Sequence, residues 1–135
     1  MGKTFEKVRI WNVMDEEGVR KGIISPIEVS AQIDNGSTTV ILTEGLAKSL
    51  NLPREDEKVW VRYANGTREQ KEVAIGLRVE IMGRKTVCRA IIEPNRDSPL
   101  IGQIVLEDLD LWIDSKNGKL VPNPESSEAP MLDAL

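Results

Sequence analysis

Ala31-Gln32-Ile33-Asp34-Asn35-Gly36-Ser37-Thr38-Thr39-Val40-Ile41-Leu42 is the stretch whose reading decides the fold of this chain. A short apolar run ends in the carboxylate of Asp34. A tight turn follows at Asn35-Gly36, then small hydroxyl residues, then a second apolar run. Asn-Gly between apolar runs is a strong turn signal. A carboxylate at the mouth of a buried turn needs hydrogen-bond donors, and the turn amides and the Ser37 hydroxyl are at hand. On these residues alone two roles for Asp34 stand open. It either caps its own backbone in an Asx turn or serves as a functional carboxylate.

Outward from this stretch the chain reads as short strands. Val8–Val13 and Val29–Ile33 alternate apolar and polar residues, and the second delivers Asp34. Asp15-Glu16-Glu17-Gly18 between them reads as a polar turn. Val40-Ile41-Leu42 is a continuous apolar run, the pattern of a strand buried on both faces. Thr43 is placed to cap a short helix with Leu46 and Leu50 on one side, ended by Leu52-Pro53. Val59–Tyr63 reads as a strand that Asn65-Gly66 turns back into a hairpin. Glu72–Ile75, Leu77–Ile81 and Thr86–Ile92 continue as a meander punctuated by Gly76 and Gly83. Many short strands, Gly-marked turns and few helical segments predict an all-β fold, a small closed barrel with one or two short helices. Two or three helices at most are expected, near residues 43–50 and 103–109.

Composition narrows the function classes. The 135 residues suit one domain. Only three Trp, one Tyr and one Phe are present, so the core must be built mainly from Ile, Val and Leu. Trp60 and Trp112 lie inside apolar strand-like runs and read as core or interface residues. The net charge of −4 gives no phosphate-binding surface, so no nucleic-acid partner is expected. The absence of His removes Ser-His and Cys-His catalysis and most zinc sites, and no metal or cofactor is expected. The single Cys88 excludes an internal disulfide framework and reads as a small core residue. Met1 to Trp11 is charged and lacks an apolar h-region, and no apolar stretch reaches the ~18 residues of a membrane span. The expected location is the cytoplasm, with no membrane partner. Residues 122–135 carry three Pro, three acids and no base. The expected organisation is a domain over 1–121 and an acidic Pro-rich tail over 122–135 that is largely disordered, or ordered only on contact with a partner, and can be removed with little loss of fold.

Four elements in order add a family resemblance. Asp34-Asn35-Gly36-Ser37 resembles the Asp-Thr-Gly-Ser/Ala motif of aspartic proteases, with Asn in place of Thr. Tyr63-Ala64-Asn65-Gly66-Thr67 resembles a flap hairpin. Leu100-Ile101-Gly102 resembles the apolar-apolar-Gly element beneath the active-site loop, and Val105–Leu109 with Leu111–Asp114 reads like the helix and closing strand after it. From about Val29 to Pro122 the chain is similar to single-domain retropepsin-like aspartic proteases of prokaryotic type. The resemblance implies that Asp34 is the catalytic acid/base and that Asn35 stands where the family's Thr bridges two subunits. It implies that Gly36 aims its amide at Asp34 and that Ser37 donates to the outer carboxylate oxygen. Tyr63 to Thr67 would close over an extended peptide or unfolded protein segment, and Leu100, Ile101 and Gly102 would support the loop. Asp110, where relatives often carry Gly, departs from the pattern only at a turn.

Peptide hydrolysis by carboxylates uses a pair that shares one proton. No second Asp-x-Gly occurs in the chain. The partner carboxylate must come from a second copy, so the resemblance entails a two-fold homodimer. The leading expectation is an aspartic endopeptidase. The alternatives are a weak or inactive relative using the same dimer to bind or scaffold peptides, and a small β-barrel interaction module with a structural Asp34.

Overall fold

The computed structural model describes residues 3–134. In chain order the elements are β1 (Thr4–Asn12), α1 (Glu16–Arg20), β2 (Ile27–Ile33), β3 (Val40–Thr43), α2 (Glu44–Ser49), β4 (Val59–Arg62), β5 (Arg68–Lys71), β6 (Val73–Ile81), β7 (Arg84–Glu93), β8 (Leu100–Ile101), α3 (Gln103–Leu109), β9 (Leu111–Asp114) and β10 (Lys119–Pro122). Six strands close a barrel in the order β1-β2-β8-β3-β7-β6, and β4-β5 and β9-β10 form separate two-stranded ribbons. The all-β barrel expected from the alternating runs is what the chain forms.

Alternation places the core. Ala31 and Ile33 of β2, Val40 and Leu42 of β3, and Leu77, Val79 and Ile81 of β6 turn into the barrel. Val105, Leu106 and Leu109 of α3 close one side of it. The core is Ile, Val, Leu and Ala, as the scarcity of aromatics requires. The β6-β7 ladder shifts register between Ala74 and Leu77, where Gly76 adopts φ +76°, and β6 pairs with β1 only from Leu77 on.

The helix at residues 43–50 begins as read: the Thr43 hydroxyl accepts from the Leu46 amide at 3.1 Å. A helix also forms where a polar turn was expected, over Glu16–Arg20, preceded by a 3₁₀ turn that Asn12 caps through the Met14 amide. The buried Asn12 amide donates to the Leu50 and Asn51 carbonyls, both at 3.1 Å, and so ties this turn to the end of α2. Charged residues hid that helix, because it buries no side chain and carries no apolar period. Trp60 and Trp112 are half or more exposed, which corrects the core half of the core-or-interface reading and leaves the interface half open. Each alternates outward on a two-stranded ribbon rather than into the barrel. Cys88 is half-buried against the core, and desolvation, followed by the nearby Asp108 charge, pushes its thiol up to about 12.

The segment beyond Pro122 is attached. Pro124–Ser126 forms a 3₁₀ turn and Ser126 is buried. Arg84, itself buried at the start of β7, donates to the Leu109 carbonyl at 3.0 Å, the Asp110 carbonyl at 3.1 Å and the Ser126 carbonyl. Composition carries no sign of this, because the anchor is a guanidinium 42 residues away in sequence. Among the described residues no helix is long and apolar enough to cross a membrane.

Removal of residues 123–135 leaves one Arg84 donor without its acceptor. The expected loss is about 1.5–3 kcal/mol, the range for a hydrogen bond to a charged group. Urea unfolding of the full and shortened chains checks this, and coincident transitions would show that water replaces the Ser126 carbonyl.

Candidate active site

The residues singled out in sequence around Asp34 meet at one crossing. β2 and β3 do not pair with each other. The two residues of β8 lie between them, parallel to β2 through Gln32↔Leu100 and Ile33↔Ile101, and antiparallel to β3 through Ile41↔Leu100. The Asp34 amide donates to the Ile101 carbonyl at 3.0 Å, which fixes where the loop leaves the barrel. Neither Asn35 nor Gly36 is left-handed. The turn is instead closed by the Ser37 amide on the Asp34 carbonyl at 3.2 Å.

The loop is welded to α3. The first amides of a helix have no partners within it. Here Gln103 donates to the Ser37 carbonyl at 2.7 Å and Ile104 to the Thr38 carbonyl at 2.9 Å. Gly102 has no side chain to cap α3, and the loop carbonyls take that role. A Cβ on Gly102 would lie 2.2 Å from the Thr39 carbonyl oxygen and 2.7 Å from that of Ser37. Leu100 and Ile101 are buried beneath the loop. The Leu100-Ile101-Gly102 element thus lies against the Asp34 loop.

Asp34 is half-buried and Asn35 is exposed. The Gly36 amide donates to Asp34 Oδ1 at 2.9 Å, an Asx-type contact. A Cβ on Gly36 would stand 3.2 Å from the same oxygen. Among the described residues the Ser37 hydroxyl does not reach the carboxylate, and no cation pairs with it. A cavity of about 510 Å³ opens beside Asp34 and Asn35, with Gln32, Ile33 and Ile113 in its wall. Arg96 braces this side, donating to Gln32 Oε1 at 3.1 Å and to the Ser98 carbonyl at 2.8 Å.

Tyr63 to Thr67 form the tip of the β4-β5 hairpin. Gly66 takes φ +88°, and Asn65 Oδ1 accepts from the Thr67 amide at 3.0 Å. Ala64 is exposed at the tip. The hairpin is tied to the end of β7 rather than to the Asp34 loop. The Tyr63 hydroxyl donates to Glu93, and Lys71 bridges Glu93 at 3.4 Å and Glu69 at 3.1 Å. Burial and then the Glu93 carboxylate, which accepts the phenol's hydrogen bond, push Tyr63 up to about 12. Glu93, Lys71 and Arg96 escaped sequence reasoning, since nothing local pairs Tyr63 with a carboxylate 30 residues away.

Two comparisons with known proteins place this arrangement. Residues 21–108 match the family described as "gag-polyprotein putative aspartyl protease". The EIAV protease, solved in complex with the inhibitor HBY-793, superposes with a TM-score of 0.54 at 16% identity, over 79% of this chain and 88% of that one. At that identity the likeness is one of fold. No curated protein sequence matches the chain.

Two outcomes follow from the geometry. Gly102→Ala should destabilise the fold by about 3 kcal/mol, because backbone on both sides blocks the added carbon; thermal unfolding reads it, and an unchanged midpoint would show that the crossing is loose. Tyr63 is the sole Tyr of the chain, so phenolate absorbance titrates it alone. Its midpoint should lie near 12 in the folded protein and near 10 in denaturant. The unfolded phenol then releases its proton first, and stability falls as pH rises from about 10 to 12. A folded-state midpoint near 10 would mean that Tyr63 does not hold Glu93.

Proposed function

Because the chain belongs to the gag-polyprotein putative aspartyl protease family, we propose that it is an aspartic endopeptidase whose catalytic pair is one Asp34 from each of two copies. One observation carries this reading. Asp34 stands half-buried on a loop fixed by β8 and α3, its carboxylate held by the Gly36 amide and, among the described residues, in no salt bridge. A carboxylate so placed serves the chemistry once a second lies beside it. Two carboxyl groups about 3 Å apart share one proton. The ionised member takes a proton from water as the water attacks the scissile carbonyl, and the protonated member polarises that carbonyl. Collapse of the tetrahedral intermediate returns a proton to the leaving amine. The substrate is an extended peptide or unfolded segment bound as an added strand, with Tyr63 to Thr67 closing over it. Asn35, exposed beside Asp34, supplies an amide that both donates and accepts across the two-fold.

Asn35 also favours a second reading. It is longer than Thr and spreads the two loops if it does not find its mate. A displacement of that kind lowers activity steeply and leaves a dimer that binds peptides without cutting them.

Cleavage of unfolded casein from about pH 3.5 to 7.5, where such a pair carries its single proton, tests both readings. Wild type should act best at the acid end. Asp34→Asn should fall below about one part in a thousand, since symmetry places the change on both sides. Asn35→Thr should raise kcat/KM about ten- to a hundred-fold if Asn35 is what limits the site. Equal activity of wild type and Asp34→Asn ends the enzyme reading. Silence of all three proteins, with peptide binding retained, leaves the binding module.

A further inference from the structure

Arg54, Lys71 and Arg78 are partly buried, and each bridges a carboxylate. Arg96 is partly buried too, yet among the described residues it forms no salt bridge. Its guanidinium is nonetheless fixed. Nε donates to the Ser98 carbonyl at 2.8 Å and Nη2 to Gln32 Oε1 at 3.1 Å. Its loop is pinned as well, by the Gln32 amide on the Pro99 carbonyl at 2.9 Å and by the Arg96 amide on the Glu93 carbonyl at 3.3 Å. The donors on Nη1 bond nothing among the described residues. A partly desolvated cation costs free energy until it is paired. The nearby carboxylates do not pair it: Glu93 holds Tyr63 and Lys71, and Asp97 is exposed.

Gln32 sets Arg96 beside the candidate catalytic carboxylate. Ala31 and Ile33 point into the barrel, so Gln32 and Asp34 lie on the opposite face, two residues apart. Both line the same cleft. Two residues of strand span about 7 Å. A peptide laid along that cleft as an added strand advances about 3.3 Å per residue. The side chain that meets Arg96 therefore belongs to a residue within about three of the bond cut.

We infer that Arg96 is a specificity-determining residue, which selects peptides carrying Glu or Asp within about three residues of the scissile bond. A planar guanidinium with free donors takes a carboxylate through directed, charge-assisted hydrogen bonds, and Gln in the same place forfeits the charge. The inference rests on the endopeptidase reading above, under which each copy supplies one Arg96 and acids are favoured on both sides of the cut. The charged groups around the contact are Asp34 and Lys3, which line the cleft, and Glu93 and Asp97 beside Arg96. A substrate Glu titrates at about 4.3. Below that pH it is as neutral as Gln, and above it the carboxylate pairs. Preference for Glu over Gln therefore grows as pH rises from about 3.5 to 5.5.

Cleavage of a mixed peptide library, with the cut sites read by mass spectrometry at about pH 3.5 and 5.5, tests this in wild type, Arg96→Gln and Lys3→Gln. Circular dichroism checks that each variant keeps the fold. At the higher pH, wild-type cut sites should be enriched at least about fivefold in Glu or Asp over Gln at one of the flanking positions, and the enrichment should shrink at the lower pH. It should vanish in Arg96→Gln and persist in Lys3→Gln. If Arg96 only braces its loop, Arg96→Gln lowers cutting at all sites alike and keeps the enrichment. That result, or an enrichment lost with Lys3→Gln instead, overturns the inference and leaves the endopeptidase standing. If wild type cuts nothing, binding of uncleavable statine peptides that carry Glu or Gln at these positions decides. Tighter binding of the Glu peptide that Arg96→Gln abolishes sustains the Arg96 site without cleavage, and equal or no binding ends both readings.

Discussion

The contact of Gly102 with the carbonyls of Ser37 and Thr39 is the constraint on which the rest of this structure depends. β8 is only two residues long, yet among the described residues it is the strand that lies between β2 and β3 and completes the closed barrel. Its backbone bonds contribute about 1 kcal/mol each. Burial of Leu100 and Ile101 contributes about 1.5–3 kcal/mol each, so packing and hydrogen bonding hold the wedge together. What the hydrogen bonds supply is position. They fix the Asp34 amide on Ile101 and the α3 amides on Ser37 and Thr38, so that loop and helix move as one body. The proposed pairing of two Asp34 carboxylates would need that rigidity, since a small misplacement lowers activity steeply.

The parts around this rigid crossing are attached by polar contacts at their ends. The β4-β5 hairpin reaches the barrel through Tyr63 and Lys71 on Glu93. The terminal segment reaches it through Arg84 and Asp110. α2 is tied in the same way by Arg54, which bonds Glu44 and, at 3.0 Å, Glu72. Such contacts are individually modest and leave the hairpin and tail able to detach while the barrel stays folded.

Much of this was legible beforehand, and what was legible is local. Thr43 caps α2 because a hydroxyl before an apolar helix does so in any context. Asn65-Gly66 turns the hairpin because Gly66 accepts a positive φ. Asp34-Asn35-Gly36 makes an Asx contact because the amide lies two residues from the carboxylate. The failures share a cause as well. α1 carries no apolar face to betray it. Trp60 and Trp112 sit in strands that belong to ribbons, where alternation has no barrel interior to point into. Arg68 lies over the Trp60 ring at 5.4 Å, a polar environment that a run of Val-Trp-Val does not suggest.

The sequence by itself determined most of the strands, the Asn65-Gly66 hairpin turn, the β class of the core and the Asp34–Gly36 contact, because periodicity, capping and glycine conformations act within a few residues. It also determined that a second copy is needed if the chain cuts peptides, because only one Asp-x-Gly is present. The tertiary structure alone decided that β8 would separate β2 from β3, that Glu93 would hold Tyr63, and that Arg84 and Asp110 would keep the terminal segment against α3. Each of those joins groups far apart in the chain, and such pairings become favourable only when the closed barrel has already fixed where their ends lie.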